Sequence, residues 1–151
     1  MPRQPIIGVI GASSPKKNQE KLAHEVGRLI AKEGWILVNG GLSGVMEASA
    51  RGAKEAGGTV VGIVPGPSTK AANPHVTIPV ATNMGYARNA IIVHTADSLI
   101  AVGGGEGTLS EIAIALKLGK PVLGLDTWAI EGVRPVTSPD EAIAFLKQNH
   151  A

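Results

Sequence analysis

The chain has 151 residues, of which 44% are hydrophobic and 17% charged; this composition excludes a disordered or low-complexity protein and predicts one domain over residues 1–151. A net charge of +2 and an aromatic content of 3% are too low for a nucleic-acid-binding surface, so we expect no nucleic-acid partner. Without cysteine, a signal-peptide pattern or a membrane-spanning apolar run, the chain is expected to be cytoplasmic, with no membrane partner and no disulfide or protein metal site.

Short apolar strands alternate with helices in the first half of the chain. Apolar runs rich in β-branched residues predict buried parallel strands, and apolar residues at helical spacing predict helices between them. The predicted elements are strands at 6–11, 35–41 and 59–64, a helix that ends at Gly34 and a helix at 43–58. Three prolines and a glycine then predict an irregular loop at 65–76, which is a candidate lid.

The second half repeats this alternation. Its predicted elements are a weak strand at 77–82, a mostly apolar helix at 84–96, strands at 98–103 and 121–126, a helix with apolar residues from Leu109 onward, and a closing helix at 138–148. The helix at 84–96 has little polar surface to present to water, so we expect a homodimer or homotetramer that buries part of it.

The alternation as a whole predicts an α/β fold. Successive strand–helix–strand units with right-handed crossovers build a doubly wound, Rossmann-like parallel sheet with helices on both faces. The strand order 3-2-1-4-5-6 is the expected one, and ligands of such sheets bind beyond the carboxyl ends of the strands.

Three glycine-rich segments follow predicted strands at that edge. Glycine lets the backbone approach an anion closely, and the amino end of the next helix offers free N–H groups, which favours a phosphorylated small-molecule ligand over glycines that only form tight turns. The candidate binding residues are Gly11, Ala12 and Ser13 after the first strand, Gly40, Gly41, Gly44, Val45 and Met46 after the second, and Gly103, Gly104, Gly105, Glu106, Gly107 and Thr108 after the fifth.

Several familiar sites are excluded by what these segments lack. A P-loop needs a lysine after its glycines, and "GGGEGT" (103–108) has none. A nicotinamide-binding unit needs GxGxxG after the first strand and an acid after the second, but the second strand ends in Asn39. The four histidines lack metal-ligand spacing, and no GxSxG elbow is present.

Two charged residues near the glycines allow two interpretations each. Thr108 and Glu111 have the spacing of a capping box, which recurs at Ser138 and Glu141 beside a helix without any binding motif, so the residues alone favour a cap role for Glu111. Arg88 lies among apolar neighbours, where an unpaired guanidinium is costly, and this favours a phosphate clamp over a solvated charge.

Three motifs of the chain resemble the LOG-like Rossmann-type proteins, once labelled lysine decarboxylase-like: "GGLSGVME" (40–47), "GYARN" (85–89) and "GGGEGTLSE" (103–111). The resemblance covers nearly the whole chain. One branch of these proteins, the LONELY GUY enzymes, hydrolyses cytokinin riboside 5′-monophosphates with an Arg-Lys pair and a PGGxGTxxE motif. Another branch, the molybdenum cofactor carrier proteins, binds a phosphorylated pterin cofactor.

The departures from the hydrolase motif point to the carrier branch. Arg88, Thr108 and Glu111 match the hydrolase pattern, but Val102 replaces its proline and Asn89 replaces its lysine. The resemblance therefore implies a binding or carrier protein for molybdenum cofactor, held by the glycine segments, Arg88 and Asn89, with a metal that arrives already ligated. It implies, as the alternative, a nucleoside 5′-monophosphate phosphoribohydrolase with Arg88 and Glu111 as catalytic residues. A nucleotide-sensing module is a third and weaker interpretation.

Overall fold

A computed structural model describes residues 3–150, within which seven strands and five helices alternate. The strands are β1 (Ile6–Gly11), β2 (Ile36–Asn39), β3 (Val60–Val64), β4 (Ile78–Ala81), β5 (Ser98–Val102), β6 (Val122–Leu125) and β7 (Val133–Pro135). The helices are α1 (Lys17–Lys32), α2 (Val45–Glu55), α3 (Arg88–Thr95), α4 (Glu106–Lys117) and α5 (Pro139–His150). Single 3-10 turns lie at Thr69–Ala71, inside the predicted irregular loop, and at Gly85–Ala87.

All seven strands are parallel neighbours in one sheet, in the order β4-β3-β2-β1-β5-β6-β7. Helices α1, α2 and α5 contribute to the core on one face of the sheet, and α3 and α4 contribute to the core on the other. The predicted α/β, doubly wound, Rossmann-like fold with helices on both faces is therefore confirmed. Among the described residues, no helix is long and apolar enough to cross a bilayer.

The predicted strand order is wrong for the fourth strand, which lies at the sheet edge beyond β3 and not beside β1. The position beside β1 is covered on both faces, and β5, whose five residues are all buried, occupies it. Strand β4 instead exposes Ile78 and Val80 and contains Pro79, which has no N–H to donate and is tolerated at an edge. Strand β7 was missed because three residues carry too little pattern.

Several element boundaries also differ from their predictions. Strand β2 ends at Asn39 and α2 begins at Val45, so the glycines between them form a turn. Helix α4 begins at Glu106, three residues before Leu109. The helix predicted at 84–96 begins at Arg88, after the 3-10 turn.

The short helix α3 is held at its carboxyl end by Lys120, which precedes β6. The Lys120 Nζ atom donates to the carbonyls of Val93, His94 and Ala96 at 2.8, 2.9 and 2.6 Å. Before the amino end of α3, Met84 and Tyr86 remain 49% and 90% exposed. Large exposed apolar side chains at this end suit the expected homo-oligomer, which stays a prediction.

Candidate functional site

The three glycine segments meet at the carboxyl edge of the sheet, because β1, β2 and β5 lie side by side. The backbone N–H of Ala12 donates to the carbonyl of Val102 at 3.2 Å, which joins the first segment to the third. The N–H of Val45 donates to the carbonyl of Ala12 at 2.9 Å, which joins the second segment to the first. The loops therefore form one continuous surface.

Asn39 shapes the second glycine segment. Its Oδ1 accepts from the N–H of Gly41 at 2.8 Å, and its Nδ2 donates to the carbonyl of Met46 at 2.9 Å. Gly44 has a φ of 73°, and a Cβ there would lie 2.4 Å from the carbonyl oxygen of Ala12. Of the predicted binding residues, Gly41, Gly44 and Val45 line neither of the two cavities described below and act as spacers between the loops.

A cavity of about 290 Å³, here called the Arg88 cavity, lies between α3, α4 and the ends of β1 and β2. It brings together most of the predicted residues: Gly11, Ser13, Gly40, Met46, Arg88, Asn89, Gly105, Glu106, Gly107, Thr108 and Glu111. Leu42, Tyr86 and Ile92 also line it; Leu42 and Tyr86 lie inside two of the quoted motifs but were not predicted as binding residues, and Ile92 lies outside all of them.

Arg88 lies in the first turn of α3 and is only 8% exposed. Its Nε donates to the carbonyl of Ile63 at 2.9 Å, its Nη2 to the carbonyl of Gly40 at 3.4 Å, and its Nη1 to Oδ1 of Asn89. Burial lowers the pKa of Arg88, although the nearby Glu111 carboxyl acts in the opposite direction. Among the described residues, no carboxylate lies within 4.0 Å of the guanidinium, so its charge is available to an anion.

Glu111 is a buried acid and not part of a cap. The N-cap residue of α4 is Gly105, Thr108 lies buried within the first turn, and no side-chain cap hydrogen bond is formed there. The capping-box interpretation of Thr108 and Glu111 is therefore wrong, because the helix begins before the threonine. Glu111 lines the Arg88 cavity at 8% exposure, and burial raises its pKa to about 7 against the opposing effect of Arg88.

The amino end of α4 is open on the side of the cavity. A Cβ at Gly107 would meet no atom within 4 Å, and the same holds for Gly105. Gly104, by contrast, has a φ of 116°, and a Cβ there would lie 2.5 Å from that of Thr108. Gly104 thus sets the turn, while Gly105 and Gly107 leave the free backbone N–H groups of the helix end accessible.

A second cavity of about 700 Å³, here called the Trp128 cavity, adjoins the first and shares Ser13 and Gly105 with it. The predicted residues Ala12, Gly103 and Gly104 line it. Sequence reasoning missed its other residues, which are Ser14, Lys16, Gln19, Asp126, Thr127, Trp128 and Ala129. Only their position in the fold could have identified them, since the loop after β6 lies at the same carboxyl edge of the sheet as the glycine turns.

Known proteins resemble the chain over most of its length. The molybdenum cofactor binding protein from Rippkaea orientalis is 40% identical, with a TM-score of 0.94 over 99% of each chain. The molybdenum cofactor carrier protein from Chlamydomonas reinhardtii is 43% identical, with a TM-score of 0.90 over 97% of this chain and 98% of that one. A cytokinin riboside 5′-monophosphate phosphoribohydrolase from Mycobacterium tuberculosis is 33% identical over an alignment 139 residues long that covers 85% of this chain and 74% of that protein.

A parallel, doubly wound sheet with glycine turns at the ends of β1, β2 and β5 defines a Rossmann-like protein. The chain belongs to the SLOG cluster4 family, whose model matches residues 4–150. The predicted resemblance to LOG-like proteins, close to the molybdenum cofactor carrier branch, is confirmed.

Proposed function

We propose that the protein binds and carries a phosphorylated pterin cofactor, molybdenum cofactor, with its phosphate in the Arg88 cavity. The observation that carries the proposal is the buried Arg88 guanidinium, which has no carboxylate within 4.0 Å among the described residues and lies beside the open amino end of α4. A cation and free N–H groups at one point favour a phosphate. The cofactor is chosen because two similar proteins of nearly equal length bind or carry it.

The donor set fits such a cargo. Arg88 and the backbone of Gly105 and Gly107 would hold the phosphate, and the adjoining Trp128 cavity has room for a ring system. The molybdenum would arrive bound to the pterin, so the chain needs only to bind, orient and shield the cofactor. Asn89, whose Oδ1 accepts from Arg88, fixes the guanidinium where the hydrolase motif has a second cation.

Hydrolysis of a nucleoside 5′-monophosphate is the second candidate, and Glu111 is the observation that favours it. Burial raises the pKa of this carboxyl to about 7, so in the same cavity as Arg88 it can be either protonated or ionised near neutral pH. Carboxylates stabilise the oxocarbenium-like transition state of glycosidic bond cleavage. Release of free base therefore separates the two candidates.

The substitution Gly107→Ala tests the phosphate site. Its Cβ enters open space on a helix, so the fold and helix stability should be kept or improved, by up to about 1 kcal/mol. We expect GMP to raise the Tm of the parent by several degrees and that of the variant much less, because only a ligand bound to the native state stabilises it. Gly66→Ala, which also enters open space but lines neither cavity, is the matched control and should respond as the parent does.

The same incubations are assayed for free guanine and adenine. A carrier should release neither from GMP or AMP, whereas steady turnover that is lost in Glu111→Gln would replace the carrier proposal with the hydrolase. Equal Tm shifts in the parent and in Gly107→Ala would rule out a phosphate at this helix end. Light scattering checks that the substitution leaves the assembly state unchanged.

A further inference from the structure

The Trp128 cavity contains a carboxylate whose position is fixed by the chain. Asp126 follows β6 directly, is exposed at the cavity and has a φ of 52°, in the left-handed region that few residues other than glycine adopt. Aspartate and asparagine are the non-glycine residues that tolerate this conformation best. The backbone there turns the loop so that the carboxylate lines the cavity.

Gln19 holds this carboxylate from α1. The Gln19 side chain is only 8% exposed, and its Oε1 accepts from the backbone N–H of Lys16 at 3.0 Å. Its Nε2 is therefore the end that faces Asp126, and it donates to Oδ2 at 2.9 Å. The buried Gln19 amide thus donates to the Asp126 carboxylate and fixes it at the cavity wall, where its remaining lone pairs can accept hydrogen bonds from a ligand.

An indole lies in the same wall. Trp128 is 39% exposed, and its Nε1 donates to the carbonyl of Gly105, the N-cap residue of α4, at 3.1 Å. Thr127 makes a parallel contact, since its Oγ1 donates to the carbonyl of Gly103 at 2.6 Å. The loop that carries the carboxylate and the aromatic ring is thus tied to the glycine turn that adjoins the Arg88 cavity.

We propose that Asp126 and Trp128 form a ring subsite that selects a 2-amino-4-oxopyrimidine edge, the edge that guanine and pterins share. A carboxylate can accept both the ring N–H and the exocyclic amine of that edge, while the exposed indole offers a face for stacking. Adenine presents a lone pair in place of that ring N–H, which the carboxylate repels. The subsite rests on the proposed function, because it places the ring of a ligand whose phosphate binds at Arg88.

Calorimetric titration of the parent with ribose 5-phosphate, AMP, IMP, GMP and a pterin bearing a 6-methyl phosphate ester tests the subsite. We expect GMP to bind at least about tenfold more tightly than AMP, with IMP between them because it lacks the amine. Tighter binding of the pterin phosphate than of GMP would identify a pterin as the ring system that the subsite prefers, and the reverse order would identify guanine.

Asp126→Asn keeps the left-handed backbone and nearly the same shape but removes the double acceptor. We expect the preference for GMP over AMP to fall below about threefold in this variant, while ribose 5-phosphate binds no more weakly. Asp140→Asn, the same change at an exposed acid that lines neither the Trp128 cavity nor its neighbour, should leave the preference intact. If the phosphorylated compounds bind without any preference for one base, or if the preference for GMP survives in Asp126→Asn, the ring subsite is wrong but the proposed function stands. If no phosphorylated compound binds, the proposed function fails as well.

Discussion

The amino ends of α4 and α5 contain the same short pattern, and the structure uses it in two different ways. At α5, Ser138 Oγ accepts from the N–H of Glu141 at 3.1 Å, and Glu141 Oε2 accepts from the N–H and Oγ1 of Thr137 at 2.8 and 2.7 Å. At α4, Thr108 and Glu111 are spaced identically, but both are buried within the helix and neither caps it.

The difference comes from where each helix begins. Pro139 is the first residue of α5, so Ser138 lies just outside the helix, where a hydroxyl can cap it. The glycines before Thr108 allow α4 to begin at Glu106, so the threonine falls inside the first turn. The same four-residue pattern therefore yields an exposed cap in one place and a buried acid beside Arg88 in the other.

The pKa values of the two acids are also shifted in opposite directions from the ordinary value. Hydrogen bonds from the backbone N–H and the side chain of Thr137 lower the pKa of Glu141, whereas burial raises the pKa of Glu111 to about 7. Hydrogen bonds that favour the ionised form of an acid stabilise the fold. An acid whose ionised form is disfavoured by burial is instead a candidate for binding or chemistry. The comparison separates a structural glutamate from a candidate functional one.

The largest expected effect is at Glu111. The pKa of Glu111 in the folded protein is about 7, above its ordinary value of 4.5. The free energy of unfolding is therefore highest in acid, where the side chain is protonated, and it falls as the pH rises from 4.5 through 7. Glu111→Gln has no charge to bury, and its free energy of unfolding relative to the parent should rise by about 2–3 kcal/mol between pH 5 and pH 8. Urea denaturation at both pH values measures this difference, and a difference that is independent of pH would contradict it.

A smaller effect should separate the two hydroxyls. Ser138→Ala removes the acceptor of the Glu141 N–H and should lower the free energy of unfolding by about 1 kcal/mol. Thr108→Val removes a hydroxyl that caps nothing and keeps the buried shape, so we expect a change below about 0.5 kcal/mol. Urea midpoints of the two variants give the comparison, and losses of equal size would mean that α4 is capped after all.

The smallest effect is expected at Glu141, with the opposite dependence on pH. Its lowered pKa contributes stability that is present above about pH 4.5 and is lost as the pH falls through the folded value. Glu141→Gln should therefore be slightly less stable than the parent at pH 7 and equal to it in acid. Thermal unfolding at pH 7 and pH 3 tests the sign, and a variant that is destabilised equally at both would exclude the charge as the cause.

The pattern of apolar runs and glycines in the sequence was enough to predict a parallel sheet with helices on both faces and the position of its glycine turns. Apolar strands such as β5, and the glycines that follow them, could be placed because a parallel sheet gathers its strand ends at one edge. The place of β4 could not be predicted, because pattern identifies a strand but not its neighbour. That choice depended on the burial of β5 and on the proline in β4.

The candidate site was predictable where it consists of backbone, and less so where it consists of side chains. Arg88 and the residues from Gly105 to Thr108 line one cavity, as their motifs predict. The environment of Glu111 depends on α4 beginning at Glu106, five residues before it, which spacing alone does not reveal. Asp126 and Trp128 have no motif, since their relation to Gln19 and Gly105 exists only after the loop of β6 packs on the glycine turn.

The pairing of β1 with β5 has a consequence for how the chain forms during synthesis. Ile7 pairs with Ser98, although β2, β3 and β4 all lie between them in the sequence. Strands β1 to β4 can assemble as soon as they are made, but the far edge of β1 stays without a partner until β5 follows. Unpaired apolar edges bind other chains, and parallel pairings of distant segments form slowly. The nascent chain is therefore most vulnerable to aggregation in the interval between the completion of β4 and the arrival of β5.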